Sequence, residues 1–261
     1  MIKQVYDKMP EYVDGKVAVL FTGGVESYLL GKLCVDRYGT DNVVFVVWVM
    51  DEYNVFYKKD EKRSRVRQDF IKSVNNVGGQ HMVFIDNDNY QMFDGPMVDR
   101  TLTIIREQHS NVRYLFGGYN NIHKESFALF EKFCVDGNVV DAGKQARMEV
   151  MLNRDEYPEV FEFITKCDGL IYFVEEDYTK KTISDLLSFP NCKELVTPFY
   201  DLTKTQVVLL YQELGLLDDL FQSNSCNRKG HTTHCGVCRN CLARRIAISN
   251  AGIQDKTEYL V

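Results

Sequence analysis

Apolar residues in the N-terminal half of the chain fall into blocks that predict strands alternating with helices. The apolar runs 17–21 and 42–50 are typical of strands covered on both faces, and 82–85 and 114–116 predict two more. Such alternation implies an α/β fold, a parallel sheet whose right-handed crossovers place helices on both faces. The helical spacing of Leu29, Leu30, Leu33 and Cys34 predicts a helix after the first strand. Three more helices are predicted over 60–76, 98–108 and about 124–134. The apolar residues at helical spacing in the first two of these are Val66, Phe70, Ile71 and Val74, and Leu102, Ile104 and Ile105.

The second half of the chain has a less regular pattern. The clearest helix is 203–214, where Thr203 and Gln206 form a predicted capping box and Gly215 ends the helix. A final helix is predicted over 239–250, with Gly252 after it. Between them and the first half, the pattern predicts helices at 144–152, 159–166 and 183–187 and a strand at 170–174.

Composition restricts the kind of protein. A chain of 261 residues, 45% hydrophobic and 12% aromatic, can bury a large core as one domain, or as one domain with a small appendage. A net charge of −6 argues against broad nonspecific nucleic-acid binding, which needs cationic side chains. The longest apolar run, 43–50, is far below the ~20 residues that span a bilayer. The polar N-terminus has no signal-peptide core, so we expect a cytoplasmic protein without membrane partners.

The first predicted strand runs into Thr22-Gly23-Gly24, followed by a helix. A glycine turn between a strand and a helix gathers backbone N–H groups at the positive end of the helix dipole, where phosphate binds. An ordinary turn with no ligand is equally compatible with two glycines. Neither Gly-x-Gly-x-x-Gly nor a Walker loop is present here.

A second glycine turn, Gly117-Gly118, follows the fourth predicted strand. Ligands of parallel sheets bind beyond the carboxyl ends of the strands, so we expect both turns to line one crevice. Asn120, Asn121 and His123 follow and could face a substrate, or be ordinary polar loop residues.

Eight cysteines suggest a metal or reduced thiols rather than disulfides in a cytoplasmic chain. Cys226, Cys235, Cys238 and Cys241 can close a tetrahedral, structural Zn²⁺ site, with Gly236 allowing a tight bend. Two alternatives remain, an iron–sulfur cluster and four unrelated buried thiols. With four thiolates available, His231 and His234 are interpreted as solvent-facing, and the other cysteines as small buried residues, namely Cys34, Cys134, Cys167 and Cys192.

Two segments resemble known families. Residues 22–27 resemble the PP-loop of the ATP pyrophosphatases, usually Ser-Gly-Gly-x-Asp-Ser, with Thr22 and Glu26 as replacements that keep the functional groups. Residues 197–215 and 225–253, including the cysteine spacing, resemble the C-terminus of the 7-cyano-7-deazaguanine synthase (QueC) family. The resemblance implies an adenine nucleotide alpha-hydrolase-like, Rossmann-like domain over 1–200. A helical region with the zinc motif, 201–261, would pack on it as one unit.

The same resemblance implies the chemistry. ATP with Mg²⁺ activates the carboxylate of a 7-carboxy-7-deazaguanine as an acyl-adenylate, ammonia gives the amide, and a second activation gives the nitrile. The expected partner is thus a small-molecule substrate, and no stable complex with nucleic acid is expected. Homodimers are common in the family, so a homodimer is expected here. Glu26, Ser27 and Lys204 are the catalytic candidates, because a carboxylate can orient Mg²⁺ and a lysine near a helix start can reach phosphate. Glu26 and Lys204 could instead be a first-turn acid and a surface lysine. The phosphate-binding candidates are Phe21, Thr22, Gly23, Gly24, Val25, Glu26, Ser27 and Tyr28.

The middle of the chain departs from the family pattern. Residues 51–58 replace its Tyr-Gly-Gln-basic segment, and after Gly118 and Asn120 its Pro-Asp-Cys-Arg loop is missing. Two further functions therefore stay open. One is a PP-loop enzyme that adenylates another acceptor, such as a tRNA base or a protein or peptide carboxylate. The other is a non-catalytic nucleotide-binding module.

Overall fold

The computed structural model describes residues 1–11, 13–50, 59–87, 95–120, 148–151, 171–174, 194–226, 234, 236 and 239–260. The strands are β1 (Lys16–Leu20), β2 (Val43–Met50), β3 (His81–Asn87), β4 (Val112–Phe116), β5 (Met148–Met151), β6 (Ile171–Val174) and β7 (Leu195–Val196). The helices are α1 (Ile2–Asp7), α2 (Val25–Tyr38), α3 (Lys59–Asn76), α4 (Gly95–Gln108), α5 (Lys204–Glu213), α6 (Leu217–Gln222) and α7 (Arg239–Asn250), with one 3₁₀ turn at Thr40–Asn42.

The main sheet has five strands in the order β3-β2-β1-β4-β7, and all of its pairs are parallel. The predicted parallel α/β sheet is therefore confirmed. Strands β2 and β3 extend the sheet on one side of β1, and β4 and β7 extend it on the other. The order therefore reverses between β1 and β4, which is the point where parallel sheets bind ligands.

Successive residues of β1 enter two different cores, as the period of a strand requires. Val17 and Val19 lie in a core with α2, α3 and α5, whereas Ala18 and Leu20 lie in a core that contains Leu102 of α4. Helices therefore cover both faces of the sheet, and this explains the continuously apolar sequence of its central strands.

The C-terminal helices share the first of these cores. Val207 and Leu210 of α5 and Ile248 of α7 are fully buried together with Leu29 and Leu30 of α2. Helix α5 begins with the predicted capping box and ends at Gly215, whose φ is +69°. The division of the chain at residue 200 remains a prediction.

One secondary-structure prediction is wrong. The helix predicted over 144–152 contains strand β5, which pairs with β6 in a separate two-stranded parallel sheet. The local pattern of a short apolar segment does not distinguish a strand from a helix, so pairing with a neighbouring strand decides its structure. The helix predicted over 60–76 is confirmed as α3, in which Phe70 and Val74 are buried and Ile71 is 43% exposed.

The helices predicted at 124–134, 159–166 and 183–187 lie outside the described residues, as do Asn121 and His123. In the part of the chain that is described, no helix is both long enough and apolar enough to cross a membrane.

Candidate functional site

The glycine turn that joins β1 to α2 has the geometry of an anion-binding turn. Gly23 has a φ of +73°, a conformation that other residues adopt only at a cost. Gly24 is the N-cap of α2 and has no side chain with which to accept the first N–H groups of the helix. These N–H groups and the helix dipole therefore favour a bound anion.

Ser27 holds the turn together. Its hydroxyl accepts a hydrogen bond from the Thr22 N–H (3.1 Å), lies 3.0 Å from Thr22 Oγ1 and donates to the Gly24 carbonyl at 3.3 Å. These contacts give the hydroxyl of Ser27 a structural part in shaping the turn, whereas its catalytic role stays a prediction.

Three of the predicted phosphate-binding residues direct their side chains into the core. Phe21, Val25 and Tyr28 are almost fully buried, and the Phe21 ring packs edge-on against Phe45 with centroids 5.3 Å apart. Only the backbone of these three residues remains for ligand contact. The N–H of Tyr28 is already used, since it donates to the Gly24 carbonyl at 2.9 Å.

Two of the catalytic candidates meet at the start of α2. Lys204 Nζ lies 2.8 Å from Glu26 Oε1, and the two side chains are only 15% and 14% exposed. When the Asn120 amide is oriented by its partners, its nitrogen donates to Glu26 Oε1 (3.2 Å) and its oxygen accepts from the Lys204 N–H (3.0 Å). The start of α5 and the end of β4 are thus joined to the glycine turn.

The second glycine turn lies directly against the first, as expected. A Cβ on Gly118 would be 3.0 Å from Ser27 N and 3.1 Å from Glu26 Cβ. Only glycine allows this close approach of the β4 end to α2.

A segment that sequence reasoning did not assign to the site closes it from the C-terminal side. The Asn224 N–H donates to the Gly23 carbonyl at 2.7 Å. The Ser225 hydroxyl lies 3.7 Å from the position that a Cβ on Gly24 would occupy. The sequence signals for this segment are its position before Cys226 and the resemblance to the QueC family that begins at Ser225.

Arg244 of α7 fixes that segment from behind. Its side chain is fully buried and donates to the Leu220 carbonyl (2.6 Å), to the Ser223 carbonyl (3.2 Å) and to Ser223 Oγ (2.7 Å). It also donates to Thr257 Oγ1. A buried cation held by so many acceptors ties α6, α7 and the C-terminal tail together.

His234 corrects the prediction that it faces solvent. It is 6% exposed, and its Nε2 accepts the Ser225 N–H at 3.3 Å. Burial first, and the charge of Arg244 second, lower the pKa of His234 to about 4. The neutral ring that results is the form that can accept a hydrogen bond at Nε2.

Two of the four predicted metal ligands are described, Cys226 and Cys241, and they are 3% and 0% exposed. Such exclusion of water suits the ligands of a closed structural site. Cys235 and Cys238 lie outside the described residues, and within the described ones no three potential ligands cluster. Cys34 is buried as predicted, and burial raises the pKa of its thiol.

We expect Cys238→Ala to release one equivalent of bound zinc and to destabilise the C-terminal region by several kcal/mol, because the free energy of metal binding contributes to folding. Metal content by plasma emission spectrometry and urea unfolding measure the two effects. Cys34→Ala, which removes a thiol far from the motif in sequence, is the control. Equal zinc content in wild type and Cys238→Ala would exclude the four-cysteine site.

Tyr211 of α5 also supports the turn. Its buried hydroxyl donates to the Val25 carbonyl in the first turn of α2 at 2.7 Å. We expect Tyr211→Phe to lower the free energy of unfolding by about 0.5–1.5 kcal/mol, because one buried hydrogen bond is lost while the Val25 carbonyl keeps its intrahelical partner in α2. Tyr6→Phe, at a half-buried hydroxyl bonded to Asp36, should cost less in the same urea titration. An equal loss in both variants would contradict the special role of Tyr211.

Two solved structures align with this chain at low sequence identity. The U34-tRNA thiolase NcsA from Methanococcus maripaludis, solved with its [4Fe-4S] cluster, is 13% identical with a TM-score of 0.41, and the alignment covers 96% of this chain and 70% of that one. NMN synthetase from Francisella tularensis is 14% identical with a TM-score of 0.36, and the alignment covers 98% of this chain and 86% of that one. Similarity at this level carries no information about function.

Sequence relatives are more specific. A 7-cyano-7-deazaguanine synthase from Porphyromonas gingivalis (strain W83) is 45% identical over 62 residues, 24% of this chain and 27% of the relative. A 7-cyano-7-deazaguanine synthase from Methanococcus maripaludis (strain S2 / LL) is 42% identical over 77 residues, which are 27% of this chain and 33% of the relative. The chain thus spans about a quarter to a third of the length of these relatives.

Residues 157–252 match the family model of the queuosine biosynthesis protein QueC. The predicted resemblance to the QueC family is therefore confirmed, through a match that lies in the C-terminal part of the chain.

Proposed function

We propose that this chain is an ATP-dependent enzyme of the 7-cyano-7-deazaguanine synthase type, which adenylates the carboxylate of a 7-carboxy-7-deazaguanine. The observation that carries the proposal is the contact between Lys204 and Glu26 at the start of α2. Lys204 belongs to the segment that matches QueC, and Glu26 belongs to the PP-loop-like turn. Two separate sequence signals therefore meet at one place in the fold.

In this proposal the phosphates of ATP bind at the N–H groups of the first turn of α2. Gly24 places no side chain there, and the hydroxyls of Thr22 and Ser225 lie 3.5 Å and 3.7 Å from the point that a Cβ would occupy. Lys204 moves from Glu26 toward the phosphates and stabilises the charge that grows on pyrophosphate. Glu26, once released, orients Mg²⁺ or a water bound to it.

The bond changes follow from the substrate. A carboxylate oxygen attacks the α-phosphorus of ATP, and pyrophosphate leaves. Ammonia then attacks the acyl carbon of the adenylate, and AMP leaves with the attacking oxygen, giving the amide and releasing a proton. In the second round the amide oxygen attacks a second ATP. AMP then leaves with the amide oxygen, both amide protons are released, and the nitrile remains. Because water competes with ammonia, a covered site favours the amide.

A structural zinc ion fits this proposal at Cys226, Cys235, Cys238 and Cys241. Four thiolates fill its coordination shell, so the metal would cross-link the C-terminal region and supply no group to the reaction. The buried thiols of Cys226 and Cys241 support this assignment. We also propose a cytoplasmic protein, a homodimer and a small-molecule substrate, as the family resemblance implies.

Mass spectrometry of a reaction with ATP, Mg²⁺, ammonium and 7-carboxy-7-deazaguanine tests the proposal. The expected products are the amide and the nitrile, together with AMP and pyrophosphate. ATP cleavage to AMP only with another carboxylate, or with tRNA, would support the alternative acceptor. ATP binding without any cleavage would support the non-catalytic module.

A further inference from the structure

We propose that the Ser225 hydroxyl is a direct hydrogen-bond donor to a phosphate or pyrophosphate oxygen bound at the start of α2. This inference rests on the proposed function, because it takes the glycine turn to be the phosphate site. It adds to that site a residue from the segment before the first cysteine of the metal motif.

The first observation is a buried hydroxyl that lacks a partner. Ser225 is 8% exposed, and among the described residues its buried Oγ has no hydrogen-bond partner. Burying a hydroxyl without a hydrogen bond is unfavourable, so nearly all such groups in proteins have a protein, water or ligand partner. A ligand oxygen would satisfy this group.

The second observation is the position of the hydroxyl oxygen, 3.7 Å from the point that a Cβ on Gly24 would occupy. It lies beside Gly24, the N-cap of α2, where the first N–H groups of the helix have no side-chain cap from that residue. Glu26 Oε2 lies 4.0 Å from the same point, and Lys204, 2.8 Å from Glu26 Oε1, balances the charge of that carboxylate. The local field of the helix end therefore favours an anion, and a hydroxyl donor complements it.

The third observation is that the backbone around Ser225 is fixed on both sides. Asn224 N–H bonds to the Gly23 carbonyl, and the Ser225 N–H bonds to His234 Nε2. Arg244 holds Ser223, one residue further back. A donor held in this way loses little freedom when a ligand binds, which increases its contribution to affinity.

Isothermal titration of the full chain with inorganic pyrophosphate, with ATP and with adenosine tests the inference. We expect Ser225→Ala to weaken pyrophosphate and ATP binding about tenfold, the usual effect of one hydrogen bond to a charged group, and to leave adenosine binding unchanged. Its thermal midpoint should equal or exceed that of wild type, because a buried hydroxyl without a partner is removed. Ser249→Ala, at an exposed serine of α7, should bind all three ligands as wild type does.

Three results would overturn the inference. Unchanged pyrophosphate affinity in Ser225→Ala would mean that the hydroxyl contacts only an ordered water. A lowered thermal midpoint with weaker binding of all three ligands would mean that Ser225 has a structural role only. A wild-type chain that binds no pyrophosphate and no ATP would overturn the proposed function as well, and this distinguishes the two failures.

Discussion

Replacing Lys204 with Met should lower the rate of ATP-dependent product formation by about a hundredfold or more. A preorganised cation that stabilises the charge of the departing pyrophosphate contributes mainly in the transition state, and loss of one such group typically costs that much in kcat. Methionine keeps the length of the apolar stem and the helix propensity, so α5 should still form. Steady-state release of pyrophosphate, measured with saturating ATP, gives the comparison.

Lys32→Met is the matched control for Lys204→Met. Lys32 also forms an ion pair of 2.8 Å, with Asp219, and its side chain is likewise mostly covered. It lies on the body of α2 rather than at its start, away from the proposed phosphate site, so Lys32→Met should retain most of the wild-type kcat. If both variants lost activity equally, or if Lys204→Met retained wild-type kcat, Lys204 would not act on the phosphates.

Replacing Arg244 with Met should lower the free energy of unfolding by about 3 kcal/mol or more, because several hydrogen bonds from a buried charged donor are lost together. The guanidinium is fully buried and donates to oxygens of Leu220, Ser223 and Thr257, each of which would lose a charged donor. Methionine fills part of the space but donates no hydrogen bond. Urea unfolding followed by circular dichroism measures the loss.

The adjacent residue offers a control on the same helix. Arg245 is half-buried, and its guanidinium lies 5.2 Å from the centroid of the Tyr259 ring. Arg245→Met should cost about 1 kcal/mol, the usual size of a partly exposed cation–π contact. A loss in Arg244→Met no larger than that in Arg245→Met would show that the buried network is not what holds the segment 223–226 in place.

Much of the sheet was predictable because its central strands are covered on both sides. Val43–Met50 is apolar at every position, and such a run has few structures available to it other than a buried parallel strand. The capping box of Thr203 and Gln206 was equally clear, because it depends only on residues three apart. Local patterns of this kind fix elements and their ends.

The candidate site was predictable in part. Glu26, Asn120 and Lys204 were each singled out, and the rule for the carboxyl ends of parallel strands brought the two glycine turns together. The contact between Lys204 and Glu26 did not follow from sequence, because it depends on how α5 packs across α2. Neither periodicity nor motif spacing carries that information.

The parts that sequence reasoning missed are polar residues buried by tertiary contacts. Arginine and histidine are often found at protein surfaces, yet Arg244 and His234 are buried because each forms hydrogen bonds with specific partners in other segments. Ser225 lies beside Gly24 for the same reason. Such placements depend on the whole assembly of α6, α7 and the C-terminal tail, which no local pattern encodes.

The measurement that tests the central claim most directly uses acceptor labelled with ¹⁸O in both carboxylate oxygens. Adenylation followed by attack of ammonia transfers one labelled oxygen to AMP, and the second activation transfers the other. Mass spectrometry of the AMP should therefore show one ¹⁸O in the AMP of each round. Unlabelled AMP, or ADP and inorganic phosphate in its place, would contradict a site that activates carboxylates by adenylation.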